Sequence, residues 1–212
     1  MELLKLYDLK MKKFIKSFLA ETAWISSNLN VEKILLMVKM IKKCKIQKGR
    51  IFFLGVGGSA GNASHAVNDF RKIIEIEAYA PTDNVSELTA RTNDEGWSDI
   101  FVKWLEISNL NKKDLIFVFS VGGGDLDKNI SVNLIKAINL AKKKGSKVLS
   151  ILGRKDGYAA KNSDVSLIVP VKSKNLLTPF AEAYQGIVWH LLVSHPELKK
   201  KETKWESMIE KK

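Results

Sequence analysis

The 212 residues include one cysteine, four arginines, four prolines and three histidines. The lone Cys44 has no partner for an intramolecular disulfide, which points to a reducing compartment, the cytoplasm. No apolar run approaches the ~18 residues of a membrane span, so no membrane partner is expected. The opening segment, Met1-Glu-Leu-Leu-Lys-Leu-Tyr-Asp-Leu-Lys10, mixes charges with leucines and lacks the apolar core of a signal peptide. The scarcity of arginine bears on the formal charge of +12, which by itself raises nucleic acid as a partner. Arginine is the residue that reads phosphates and guanines bidentately, and here nearly all the basic residues are lysines. Those lysines are scattered, with short clusters at Lys142–Lys144 and Lys199–Lys201 that read as solvated helix ends. The reading is therefore no nucleic acid, with the charge attracting anionic metabolites instead.

What is present is ordinary for a globular protein: 45% hydrophobic and 27% charged residues, enough for one substantial α/β domain with helical additions. Residues 2–46 carry apolar positions at helical spacing (Leu3, Leu4, Tyr7, Phe14, Phe18, then Val31, Ile34, Leu35, Val38, Ile41), broken around Ser26–Asn30. This predicts two helices before the first strand, in a segment 1–48 that packs on the core and on a neighbouring subunit. Short apolar runs then alternate with amphipathic ones over 49–197. Strands are expected at 50–54, 76–80, 114–119, 147–152 and 165–170, and helices near 60–73, 97–108, 131–144 and 178–194. Such alternation predicts a doubly wound, parallel, five-stranded sheet with helices on both faces. Trp97, Trp104 and Trp189 fall at amphipathic positions and are expected in the core or at subunit contacts. Residues 198–212 form a charged, frayed tail in which Trp205 and Met208 can dock on a neighbour.

Glycine is concentrated where it carries chemistry. The buried run Ile51–Leu54 leads into Gly55-Val-Gly-Gly-Ser59, and a helix follows. Free N–H groups and the helix dipole at such a terminus suit an anion such as phosphate. His65 and Asp69 stand at i and i+4 on that helix and share one face. A second glycine-rich loop, Ser120-Val-Gly-Gly-Gly124, follows the third strand and leads through Asp125–Ile130 to Ser131. In open α/β sheets ligands bind beyond the carboxyl ends of the strands, where both loops fall. Gly55-x-Gly57-x-x-Ala60 also fits a dinucleotide fingerprint, with Glu75 or Glu77 as the ribose acceptor. Ser59 and Ser120 can equally serve as helix caps, and Arg71 and Lys72 can reach a phosphate or lie in solvent.

These residues resemble a known family, the sugar isomerase (SIS) proteins, in particular the bacterial phosphoheptose isomerases. The family's G-N-G-G-S-A-x-N-A-x-H-x-x-x-E is similar to Gly55-Val-Gly57-Gly58-Ser59-Ala-Gly-Asn62-Ala-Ser-His65 followed by Asp69. Its T-D…N-D-x-G resembles Thr82-Asp83 and Asn93-Asp94-Glu-Gly96, and its Q-E-x-H-x-x-x-x-H resembles Glu182-Ala-Tyr-Gln185-Gly-Ile-Val-Trp-His190. The resemblance implies a flavodoxin-like α-β-α sandwich, a homotetramer with shared sites, and isomerisation of sedoheptulose 7-phosphate to a manno-heptose 7-phosphate through an enediol. It further implies Asp69, His190 and Glu182 as catalytic groups. Gly57, Gly58, Ser59, Asn62, Asp94, Ser120, Gly122 and Ser131 would hold the sugar phosphate. Several members bind zinc, and the matching positions are His65, Asp69, Glu182 and His190.

The chain departs from the pattern in four places. The Glu base is shortened to Asp69, and Gln becomes Glu182, so the ligand set holds two carboxylates and should bind zinc or another divalent metal more firmly. Glu182 can then take part of the base role. The loop S-T-S-G-N-S loses two hydroxyls and gains six residues, Asp125 to Ile130, whose acids repel a phosphate unless Lys128 or the loop conformation offsets them. Val56 replaces an Asn. Two other readings follow from these changes: a phosphosugar-binding or regulatory protein of the same fold without catalysis, and an isomerase for a modified sugar phosphate.

Overall fold

In the computed structural model, which describes residues 2–202 with side chains from Tyr7 onward, alternate strand residues feed two separate apolar layers. Trp205 and Met208 lie outside the described residues. The strands are β1 (Ile51–Leu54), β2 (Ala78–Tyr79), β3 (Leu115–Ser120), β4 (Lys147–Leu152) and β5 (Val165–Ile168). All pair in parallel in the order β2-β1-β3-β4-β5, so the winding reverses between β1 and β3. Ile51, Phe53, Phe117, Phe119 and Leu149 face one layer, while Phe52, Leu54, Ile116, Val118 and Val148 face the other. Each fully buried Phe or Leu side chain contributes about 1.5–3 kcal/mol, which is why continuous apolar runs specify strands covered on both sides.

The first layer is roofed by α2 (Val31–Ile46), α3 (Gly58–Asp69) and α8 (Leu177–Ser194), the second by α5 (Ile100–Ile107) and α6 (Val132–Lys144). Asn30 starts α2 by accepting the Lys33 N–H at 3.0 Å, and Gly145 ends α6 in the left-handed region after three lysines that complement its dipole. The long first helix, α1 (Glu2–Ser27), docks through Phe18, stacked on Phe180 at 4.5 Å, and through buried Ile25. Tyr7, Met11, Phe14, Ile15 and Leu19 remain exposed along it at helical spacing. Among the described residues no helix is long and apolar enough to cross a membrane.

Several boundaries differ from those read in the sequence. Region 76–80 contributes only the two-residue β2, and the expected helix 60–73 is α3 followed by a π-helical turn, Phe70–Ile74. Two helices were not foreseen: α4 (Val85–Asp94) and α7 (Tyr158–Asn162). Nothing on α4 is buried; Asn84 caps it by accepting the Glu87 N–H, and Glu87–Arg91–Glu95 brace it with ion pairs of 2.8 and 3.1 Å. Because α5 begins only at Ile100, Trp97 falls outside it and is exposed, whereas Trp104 is half-buried against Phe52 and Trp189 is buried. The described start of the charged tail is tethered, not frayed. Leu198 is buried, Lys200 and Lys201 donate N–H groups to the Ile73 carbonyl, and Lys201 pairs with Glu75 at 2.6 Å.

Candidate active site

The turn from β1 into α3 depends on two close approaches. A Cβ on Gly55 would meet the Ser59 backbone at 2.4 Å, and Gly57 holds φ +62°, ψ −129°, a conformation that side chains resist. The helix therefore starts directly beyond the carboxyl end of β1, with Gly57 accepting from Ala60 and Gly61 and Ser59 buried in the first turn. From there α3 and α8 run side by side in the same direction. Gly58 meets Glu182, Asn62 meets Gln185 and Gly186, and His65 meets Trp189 and His190.

At the lower end of this pair, His65, Asp69 and His190 bring one ligating atom each to within 4.8 Å of one another. The two imidazoles are perpendicular, with centroids 5.5 Å apart. His190 Nδ1 is 2.8 Å from the Gly186 carbonyl, which only accepts, so Nδ1 carries the proton and the lone pair is left on Nε2. Asp69 is half-buried and accepts from the Asn68 amide at 2.7 Å; the π-helical turn begins immediately after it, a distortion frequent at functional sites. Two imidazoles and one carboxylate with a position left open form a donor set that suits zinc or a similar cation. The His190 N–H donated to a carbonyl is the orientation common in metal-ligating histidines.

Glu182 is not part of this group. Its carboxylate is turned to the other end of the helix pair, where a Cβ on Gly58 would lie 2.5 Å from Oε2. Seven residues lie between it and His190, and eight steps of helical rise put them about 12 Å apart along the axis. The N–H groups and dipole at the start of α3 suit an anion at that end of the pair. Glu182 is half-buried, and among the described residues its carboxylate has neither a hydrogen bond nor an ion pair.

The remaining sequence-based candidates divide into free and committed groups. Asn62 is committed: its Nδ2 donates to the Glu182 carbonyl at 2.9 Å and to Gln185 Oε1 at 3.1 Å. Ser120 is buried and its Oγ accepts the Gly123 N–H at 3.0 Å, so it shapes the second loop from within. That loop is stitched to the segment after β4, since Gly123 and Gly124 accept from Ala159 and Tyr158 and Val121 accepts from Gly153. Gly122 has open space around it, and Ser131, left-handed at φ +49°, precedes α6 without a side-chain cap bond. The insertion is a small hairpin in which Asp125 and Ile130 exchange both backbone hydrogen bonds. Lys128 pairs with Asp125 at 3.3 Å, and this partner together with backbone hydrogen bonds from Lys128 and Asp127 holds the Asp125 carboxyl below its usual range. Asp94 lies at the exposed end of α4 and accepts from Asn93.

Arg71 donates to the Ala78 carbonyl and covers the Tyr79 ring. The carboxylates considered for a dinucleotide are engaged elsewhere, Glu75 with Lys201 and Glu77 with the Tyr79 hydroxyl. His195 accepts the Glu197 N–H at the end of α8. Trp189 is a residue that the sequence reading placed in the core or at a subunit contact, not in the site. It is buried, but it also touches both histidines, and its position directly before His190 was the available signal.

The sequence also matches the model of the SIS domain over residues 14–153. It is 32% identical over 184 residues to the phosphoheptose isomerase of Helicobacter pylori strain P12, covering 84% of this chain and 90% of that one. It is 31% identical over 158 residues, 69% of the chain, to the lincomycin biosynthesis protein LmbN of Streptomyces lincolnensis, of which it spans 56%. The structure of phosphoheptose isomerase GmhA from Neisseria gonorrhoeae shares the fold, with a TM-score of 0.75, 23% identity and coverage of 88% and 96% of the two chains. With the glycine turn, the flavodoxin-like strand order and the α3–α8 pair in place, these matches show that the chain belongs to the SIS domain family.

Proposed function

We propose that this protein is an aldose–ketose isomerase acting on a sugar phosphate, sedoheptulose 7-phosphate giving a manno-heptose 7-phosphate. The observation that carries the reading is the division of labour along α3 and α8. An unpaired carboxylate, Glu182, stands at the glycine turn, while the His65–Asp69–His190 group lies farther along the same two helices. Relatives named phosphoheptose isomerase support it.

Isomerisation needs one group to take a proton from carbon and return it to the neighbouring carbon, and a second to move a proton between the oxygens. Glu182 has the free carboxylate for the first task. Standing about 12 Å along α8 from His190, it serves one substrate together with a His190 only across a subunit boundary, as the resemblance to shared-site tetramers implies. His190, with its Nε2 lone pair exposed and Nδ1–H fixed on Gly186, has the acceptor for the second. In the alternative arrangement, zinc or another divalent cation held by His65, Asp69 and His190 would occupy that same lone pair and would stabilise the negative oxygens of the enediol in place of the proton shuttle. The open backbone at Gly122 serves the anionic end of the substrate, and the surplus of lysines draws it in. The exposed apolar stripe on α1 (Tyr7, Met11, Phe14, Ile15, Leu19) supports a homo-oligomer assembled through that helix, a tetramer by resemblance. The buried, unpaired Cys44 supports a cytoplasmic location.

Proton NMR of the purified protein with sedoheptulose 7-phosphate in deuterated water tests the reading. A new aldose anomeric signal with deuterium incorporated at C2 is the expected result. A second reading, a phosphosugar-binding protein without catalysis, draws on the Ser120 hydroxyl, which is spent inside its own loop. Saturable sugar-phosphate binding with no exchange from folded protein would establish that one.

A further inference from the structure

Trp189 lies against both histidines of the three-residue group. Its ring centroid is 4.6 Å from that of His65 at 63°, and 3.4 Å from that of His190 at 28°. The side chain is 1% exposed, yet Nε1 has no hydrogen-bond partner among the described residues. An indole nitrogen can only donate, so a buried and unpaired one is a net cost that phenylalanine or leucine would avoid at a position that needed only filling. The compensating interactions are the two ring contacts, stacked with His190 and edge-on with His65. His190 is held on one side by its bond to the Gly186 carbonyl and on the other by the indole. His65 is exposed and makes no hydrogen bond among the described residues; its ring contacts are Trp189 and His190.

We propose that Trp189 is a positioning residue, a rigid aromatic wall that fixes the ring planes of His65 and His190 so that both imidazoles and the Asp69 carboxylate face one divalent cation. The inference rests on the reading of that group given above and adds a determinant outside the ligand set. Groups that orient metal ligands from behind typically govern affinity by 10–100-fold.

The test uses the full chain, freed of metal by chelator, and titrates cobalt(II) while following the visible absorption bands. Wild type, Trp189→Phe and Trp189→Leu are compared, with thermal unfolding as the control for folding. The expected result is one cobalt per wild-type chain, with affinity lower by about tenfold or more in each folded variant and a changed visible band, since a smaller or absent ring leaves His65 free to rotate. Phenylalanine keeps an aromatic core residue, so at least one variant remains folded. Wild-type affinity and spectrum in the variants would make Trp189 a core filler and overturn the proposal. A wild-type chain that binds no cobalt would overturn it too; deuterium exchange at C2 in that same protein then separates this failure from failure of the isomerase reading.

Discussion

The side-chain amides of Asn62 and Gln185 meet across the α3–α8 interface, Nδ2 of the first lying 3.1 Å from Oε1 of the second. Gln185 is fully buried and its Nε2 has no partner, so this contact is the only hydrogen bond its amide makes among the described residues. Asn62→Ala leaves the whole amide unpaired and removes the tie to the Glu182 carbonyl. The expected cost is about 1–3 kcal/mol, a fall of roughly 3–10 °C in Tm for a chain of this size. Calorimetry of the variant checks it, and an unchanged Tm would mean that the interface does not depend on this pair.

Glu182 and Asp69 should separate two activities. Glu182→Gln keeps shape and removes the free carboxylate, so deuterium exchange at C2 should fall by about 10²-fold or more while zinc affinity stays within a few-fold of wild type. Asp69→Asn should do the reverse to the metal, weakening zinc strongly through loss of the anionic ligand. Paired NMR exchange and chelator-competition measurements read both. Zinc lost equally in Glu182→Gln would place that carboxylate in the ligand set.

Adjacent glycines fail for different reasons. A Cβ on Gly57 meets nothing within 4 Å, but φ +62° with ψ −129° makes Gly57→Ala strained by about 1–3 kcal/mol. At Gly58 the Cβ instead meets the Glu182 carboxylate at 2.5 Å, the far end of a flexible side chain. Gly58→Ala should therefore cost little stability and lower turnover by displacing Glu182, whereas Gly57→Ala should lower Tm first. Unfolding and turnover measured on both variants test the distinction.

The Lys136 ammonium, 2.8 Å from Asp99 and assisted by the Ser98 hydroxyl, holds the Asp99 carboxyl below its usual range. A depressed native pKa contributes stability that is present above the unfolded carboxylate value and is lost as pH falls through the native one. Lys136→Met should cost about 0.5–1 kcal/mol at pH 7, the pair being partly solvated. The gap between variant and wild type should close on acidification below the ordinary aspartate range. Denaturant melts at pH 7 and in acid measure the gap, and a gap that widened in acid would contradict the assignment.

Burial, with the Asp114 carboxylate nearby, pushes the Cys44 thiol up to about 12. At pH 8 almost none is thiolate, so a thiol-reactive dye should label Cys44 in denaturant and at least about 10²-fold more slowly in the native protein. Stopped-flow labelling with and without guanidinium gives the ratio.

Sequence alone determined the layered architecture and the location of the chemistry. Runs such as Ile51–Leu54 and Leu115–Phe119 are apolar at every position, which only a strand covered on both faces can satisfy, and Gly55–Gly58 mark a turn that side chains would block. His65 and Asp69 were joined by helical spacing, and His190 by resemblance. What escaped had no burial signature of its own. Helix α4 buries nothing and is held by its Asn84 cap and ion pairs, and β2 is two residues long. The distance between Glu182 and His190 follows from their spacing on one helix, whereas only the packing of α8 beside α3 decides that His65 and Asp69 meet His190 while Glu182 faces Gly58. The contact of Trp189 with two imidazoles arose the same way. Sequence fixes a residue's helix and face, but only packing of α8 against α3 decides which rings meet.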